Sequence, residues 1–137
     1  MEPEIFRTSR RVSYADCTLG NHVYYARYFD IFEAARGEFF RQIGEPFLKW
    51  QNADVIFPVI EATICFKAPA RYDDLLTIEI CLSELSKVRM NFSCKVFRGE
   101  QLLAEAETKH VCTTLEEKPQ RIPNELTEAL AKFLRET

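Results

Sequence analysis

The sequence predicts an α+β fold in which one long helix lies against an antiparallel sheet. Two patterns carry this. Between about Val23 and Ile43, large apolar residues recur at helical spacing. From Val59 to Cys112 the period changes to two, in four runs separated by turn-forming residues. With 137 residues, of which 47% are hydrophobic and 28% charged, the chain is expected to fold as one soluble domain over residues 1–137.

The elements follow in order. Ile5 to Tyr14 is a first strand, broken by polar residues through Asn21. The helix carries Tyr25, Tyr28, Phe29, Phe32, Phe39, Phe40 and Ile43 on one face, while Arg27, Glu38 and Arg41 suit solvent or a subunit seam. So wide an aromatic stripe predicts a helix embedded in a curved sheet. Gly44 ends it, and Pro46 lies just beyond. Residues 45–54, with Trp50, are expected to be a polar connection. Four strands follow. In the first, Ile60, Ala62, Ile64 and Phe66 share a face; in the second, Leu76, Ile78, Ile80 and Leu82. In the third, Met90, Phe92, Cys94 and Val96 share a face; in the last, Leu102, Ala104, Ala106, Thr108, His110 and Cys112. Turns are expected at Arg71–Asp74, Leu85–Lys87 and Arg98–Glu100. Pro123 starts a short helix with Leu126, Leu130, Phe133 and Leu134 on one side.

Several function classes are disfavoured. A formal charge of −3 argues against a general nucleic-acid-binding surface. The five cysteines are odd in number, scattered and without a CxxC, so neither a zinc site nor a disulfide framework is expected. The N-terminus lacks a signal-peptide pattern, and no apolar run reaches membrane-spanning length. A cytoplasmic location is the expectation.

The most informative stretch is Asp16-Cys17-Thr18-Leu19-Gly20-Asn21-His22-Val23-Tyr24-Tyr25-Ala26-Arg27-Tyr28. Polar, turn-prone residues run directly into the long helix. Unpaired N–H groups and the positive dipole end at a helix start stabilise a developing oxyanion, which is what acyl transfer requires.

From Asp16 to Arg36 the chain resembles the hotdog-fold acyl-CoA thioesterases of the 4-hydroxybenzoyl-CoA thioesterase type. Their pattern is roughly Asp-x-Asp-x-x-Gly-x-Val-x-Tyr followed by an aromatic-striped helix, matched here by Asp16, Val23 and Tyr25. The resemblance continues at Phe57–Ile60, Lys67–Ile78, Ala104–Ala106 and Pro119–Pro123, so it covers nearly the whole chain in order. It implies a hotdog fold, with the sheet wrapped around the long helix. It implies a homodimer whose sheets join, or a dimer of dimers, with active sites at the subunit interface. The implied reaction is hydrolysis of an acyl-CoA, with coenzyme A as part of the substrate and no bound cofactor or metal. Two alternatives stay open: a non-hydrolytic acyl-thioester binding protein, and a thioesterase acting on chains bound to a carrier protein.

One departure stands out. The second Asp of the family pattern, its nucleophile or general base, is Thr18 here, and the family Gly is Asn21, which tolerates left-handed geometry. A Thr hydroxyl is hardly ionised at neutral pH and attacks only if a neighbour accepts its proton. Asp16 can activate water or brace the turn. His22 can act as general base at the helix start or face solvent. Tyr25 matches the position whose backbone N–H polarises the thioester carbonyl. Glu61 is a candidate carboxylate from another element, as are Glu33 and Glu38. Lys87 and Arg89 match the region where the family contacts the coenzyme A phosphates. His110 is expected to be a satisfied core residue and Cys17 a bystander.

Overall fold

The computed structural model describes residues 2–135, and it delivers the expected hotdog arrangement. The chain runs β1 (Phe6–Arg11), a short 3-10 turn (Tyr14–Asp16), β2 (Cys17–Thr18), β3 (His22–Val23), α1 (Arg27–Gln42) and α2 (Phe47–Asn52). It continues through β4 (Val59–Phe66), β5 (Leu75–Leu85), β6 (Arg89–Arg98), β7 (Gln101–Val111) and α3 (Asn124–Leu130). Five strands form one sheet in the order β1-β5-β6-β7-β4, every neighbour antiparallel. The period-two residues Leu76, Ile78, Ile80, Leu82, Met90, Phe92, Cys94 and Val96 all turn inward and are buried. Against them pack Tyr28, Ile31, Phe32, Ala35, Phe39 and Phe40 of α1. Phe39 stacks on Phe6 and meets Phe133 edge-on, so both ends of the chain close over the helix.

Two expectations are corrected. The helix begins at Arg27, not near Val23, because His22–Val23 folds back to pair with Cys17–Thr18. Gly20 (φ 81°) and Asn21 (φ 59°) turn that hairpin, both in the left-handed region; Asn21 does adopt the geometry expected of it. Tyr25 is therefore 63% exposed, and the buried stripe starts at Tyr28. The second correction lies in 45–54, where α2 forms and Trp50 is buried. Pro46 supplies an extended residue just before the helix, and Phe47 stacks on Phe40 at 4.3 Å. Six residues are too few to display a helical period.

The two sheet edges differ in character. β1 presents Arg7, Arg10 and Arg11, charges that discourage further strand pairing. β4 is apolar and uncovered, with Val59, Ile60 and Phe66 each about half exposed.

Candidate active site

The start of α1 is held by backbone bonds that leave a defined pair of amides unused. The Tyr24 N–H donates to the Asp16 carbonyl (2.9 Å), Val23 N–H to Ala70 O (2.9 Å), and Arg27 N–H to Tyr24 O (2.8 Å). Tyr28 and Phe29 close 3-10-type bonds onto Tyr25 and Ala26. Among the described residues, no acceptor meets the amides of Tyr25 and Ala26. These are the orphan donors of the first turn, at the positive end of a sixteen-residue helix.

Asp16 is almost fully buried, and its carboxylate is already occupied. Oδ2 accepts from the Ser13 backbone N–H (3.0 Å) and hydroxyl (3.2 Å), and Oδ1 accepts from Arg10 (3.2 Å). Burial pushes its pKa up, but the Ser13 hydrogen bonds and the Arg10 charge together hold it below the usual carboxylate value. A carboxylate so stabilised is a weak base. Its geometry is that of a brace: the side chain folds residues 13–16, and its own carbonyl fixes Tyr24.

Thr18 lies on the exposed hairpin, its hydroxyl touching only the carbonyls of Leu19 (3.4 Å) and His22 (3.5 Å). Among the described residues no base is within hydrogen-bonding reach to accept its proton. The hairpin is tied down instead by Asn21, whose Oδ1 accepts the Tyr72 N–H (3.0 Å), and by Arg71 on the Gly20 carbonyl (3.4 Å). His22 is exposed, and no hydrogen bond engages its ring among the described residues. With Tyr25, Tyr28, Phe66 and Lys67 it lines an open cleft of about 360 Å³ at the helix start. The structure thus gathers Asp16, Thr18, His22 and Tyr25 at one end of the sheet, but only His22 and Tyr25 line this cleft; Thr18 opens with Tyr14 and Tyr72 onto a neighbouring one, and Asp16 is buried behind them.

The remaining candidates lie elsewhere in the chain. Glu61 pairs with Lys109 across β4–β7 (3.0 Å), on the strand face away from α1. Phe66 lies five positions further on, roughly 17 Å along an extended strand. Lys87 and Arg89 flank the β5–β6 turn, at the sheet end opposite Tyr25. Glu38 is ion-paired with Arg41 on the solvent side of α1. Cys17 is half-buried; burial and the carboxylates of Asp16 and Asp74 raise its pKa, which keeps the thiol protonated.

The sequence reading missed Arg36, which is 7% exposed on the helix face that packs against the sheet. The signal was available: Phe32, Arg36 and Phe40 are spaced by four, so all three share one face. Arg36 donates to Thr108 Oγ1 (3.4 Å) and sits over the Phe92 ring (5.9 Å). Thr108 Oγ1 in turn lies 3.0 Å from His110 Nε2, and His110 Nδ1 lies 2.9 Å from the Phe57 carbonyl. A carbonyl only accepts, so Nδ1 carries the proton and Nε2 takes the Thr108 hydroxyl. His110 is the satisfied core residue the sequence suggested. Burial, with the Arg36 charge adding to it against the Phe57 bond, pulls its pKa down from 6.5 to about 4.

A pH effect on stability follows. Between pH 4 and 6.5 the unfolded chain binds a proton at His110 that the folded chain refuses, so stability rises with pH across this window and is lost on acidification. The loss between pH 7 and 4 is expected to be about 3 kcal/mol from this group. Urea midpoints against pH check it: His110→Gln, which cannot titrate, is expected to show a correspondingly shallower slope.

Comparisons with known proteins bear on the family and the fold. Residues 12–130 match the thioesterase-like superfamily. The acyl-CoA thioester hydrolase YbgC of Escherichia coli is 33% identical over 128 residues, covering 92% of this chain and 96% of that protein. A hypothetical protein from Thermus thermophilus superposes with a TM-score of 0.87 at 34% identity, covering 93% and 98% of the two chains. A 1,4-dihydroxy-2-naphthoyl-CoA thioesterase from Synechocystis superposes at 0.86 with 26% identity, covering 93% and 96%.

Proposed function

The chain belongs to the thioesterase-like superfamily, and from that membership we propose that it is a thioesterase hydrolysing an acyl-CoA to the free acid and coenzyme A. The observation that carries this reading is the pair of unpartnered amides at Tyr25 and Ala26, beside an open cleft. A thioester carbonyl placed there gains two N–H donors whose attraction grows as the oxygen becomes an anion. Water is the nucleophile. His22 is the group we assign as general base, because its ring borders the same cleft and no hydrogen bond among the described residues engages it. Asp16 positions the helix start rather than attacking, and Thr18 supplies neither charge nor base.

The enzyme works as a homodimer in this reading, joined through β4. The apolar, unprotected edge of that strand supports the assignment, and two-fold pairing of antiparallel edges would set the Val59 end of one copy beside the Phe66 end of the other. The same pairing would bring Lys87 and Arg89 of one copy nearer to the cleft of the other, where they could meet the nucleotide phosphates. No resident cofactor or metal is assigned, in keeping with the family resemblance. A cytoplasmic setting is supported by five free cysteines; no helix among the described residues is long and apolar enough to cross a membrane.

The test is thiol release by purified protein across a panel of straight-chain, branched and aromatic acyl-CoA thioesters, with the mass in solution measured alongside. Turnover of at least one thioester by a particle of twice the chain mass is expected. No turnover of any member would overturn the assignment.

A further inference from the structure

A second cavity, of about 300 Å³, lies between α1, α2 and the start of β4. Its walls are largely apolar, with Phe47, Phe57, Met90 and Phe92 among them, and its polar lining includes Arg36 and His110. Arg36 is the unusual member. It is more than nine-tenths buried, yet it enters no ion pair among the described residues. Glu33 lines the same cavity from its exposed side; its charge acts on Arg36 through space, but no ion pair joins the two among the described residues. A buried guanidinium with no counter-charge in contact is costly to keep, and arginine does not shed its proton.

The surrounding hydrogen bonds narrow what can answer it. Thr108 gives its proton to His110 and takes one from Arg36; His110 gives its own to Phe57. The neutral imidazole adds no second cation. The Arg36 N–H groups without a protein acceptor are not sealed off from solvent. They form a donor fork in the wall of a largely apolar slot, and a guanidinium has nothing but donors to offer. Carboxylate oxygens are the acceptors that match such a fork in both charge and shape. The slot's volume of about 300 Å³ is at the small end of ligand pockets, in keeping with a short acyl chain. It is also walled by Pro58 and Val59, the end of β4 that a second copy's Phe66 end would adjoin.

We propose that this slot receives the acyl part of the substrate and that Arg36 binds a carboxylate at its far end, so that the preferred thioesters are mono-coenzyme A esters of short dicarboxylic acids. This rests on the hydrolase reading above. The experiment compares adipoyl-CoA with hexanoyl-CoA, and glutaryl-CoA with pentanoyl-CoA, for the wild type and Arg36→Met. The wild type is expected to favour the carboxylated member of at least one pair by about tenfold or more in kcat/KM, mainly through KM, and Arg36→Met to bring the ratio to about one or below while still turning over the plain acyl ester. Equal rates within both pairs for the wild type, or an equal fall on both members in Arg36→Met, would overturn the proposal. Arg36→Lys covers a failure of the Met variant to fold: it keeps the charge but loses the fork, and an unchanged ratio there also overturns it. If no thioester is turned over, the hydrolase reading falls by itself, and calorimetry with free adipate and hexanoate decides the slot. Adipate binding that is lost in the Arg36 variants supports the carboxylate site; no preference for adipate over hexanoate removes it.

Discussion

Tyr25→Pro is expected to lower kcat on any thioester the enzyme accepts by about a hundredfold or more, with KM little changed. The substitution removes one N–H and no hydrogen bond of the fold, since the Tyr25 amide has no acceptor among the described residues. Proline is tolerated in the first turn of a helix for the same reason. Ala26→Pro is the companion variant, and the native φ of −69° there already suits the ring. Tyr25→Phe and Tyr25→Ala change the side chain and keep the amide, so they are expected to stay within a few-fold of wild type. Circular dichroism and Tm verify that the helix persists. Full activity in a folded Tyr25→Pro protein would mean that this amide does not face the reacting carbonyl.

The parts of this arrangement that were legible in the sequence are those set by short-range pattern. The stripe through Phe32, Phe39 and Phe40 and the alternation through Leu76–Leu82 and Met90–Val96 each reflect one face turned to one core, and both are reproduced. Asp16, Thr18, His22 and Tyr25 come together because ten residues of chain contain all four. Other features depend on length or register. β2 and β3 are two residues each, too short for any period, so the helical pattern reads on through Val23 although the helix starts four residues later, at Arg27. Glu61, Lys87 and Arg89 carry suitable chemistry, but their distance from Tyr25 is fixed by the antiparallel register that sends β5 away from Leu75 and brings β6 back from Arg89. Arg36 was hidden by its charge: a single cation within an aromatic face reads as its polar margin, and only the contact with Thr108 and Phe92 reveals it as part of the interior.

Thr18→Asp is expected to raise kcat by about tenfold or more, approaching the range a positioned general base contributes. The argument starts from what Thr18 lacks. Among the described residues its hydroxyl donates only to two backbone carbonyl oxygens, which accept a hydrogen bond but are too weakly basic to remove the proton, so it is not activated for attack. Thr18→Val should therefore leave kcat within a few-fold of wild type, whereas a hydroxyl nucleophile would lose nearly everything. Asp fits the site: Thr18 is exposed, its backbone pairs with His22 in a two-residue ladder, and no buried neighbour has to move. A carboxylate two residues along the chain from the buried Asp16 would not be consumed by Ser13 and Arg10, which already bind Asp16. His22→Gln tests the other half. If His22 carries the proton in the native enzyme, its loss lowers kcat by about a hundredfold, and Thr18→Asp in the same chain restores most of the rate. Measured kcat for the two single variants and the double variant decides this. A double variant as slow as His22→Gln alone would show that position 18 no longer faces the water that attacks.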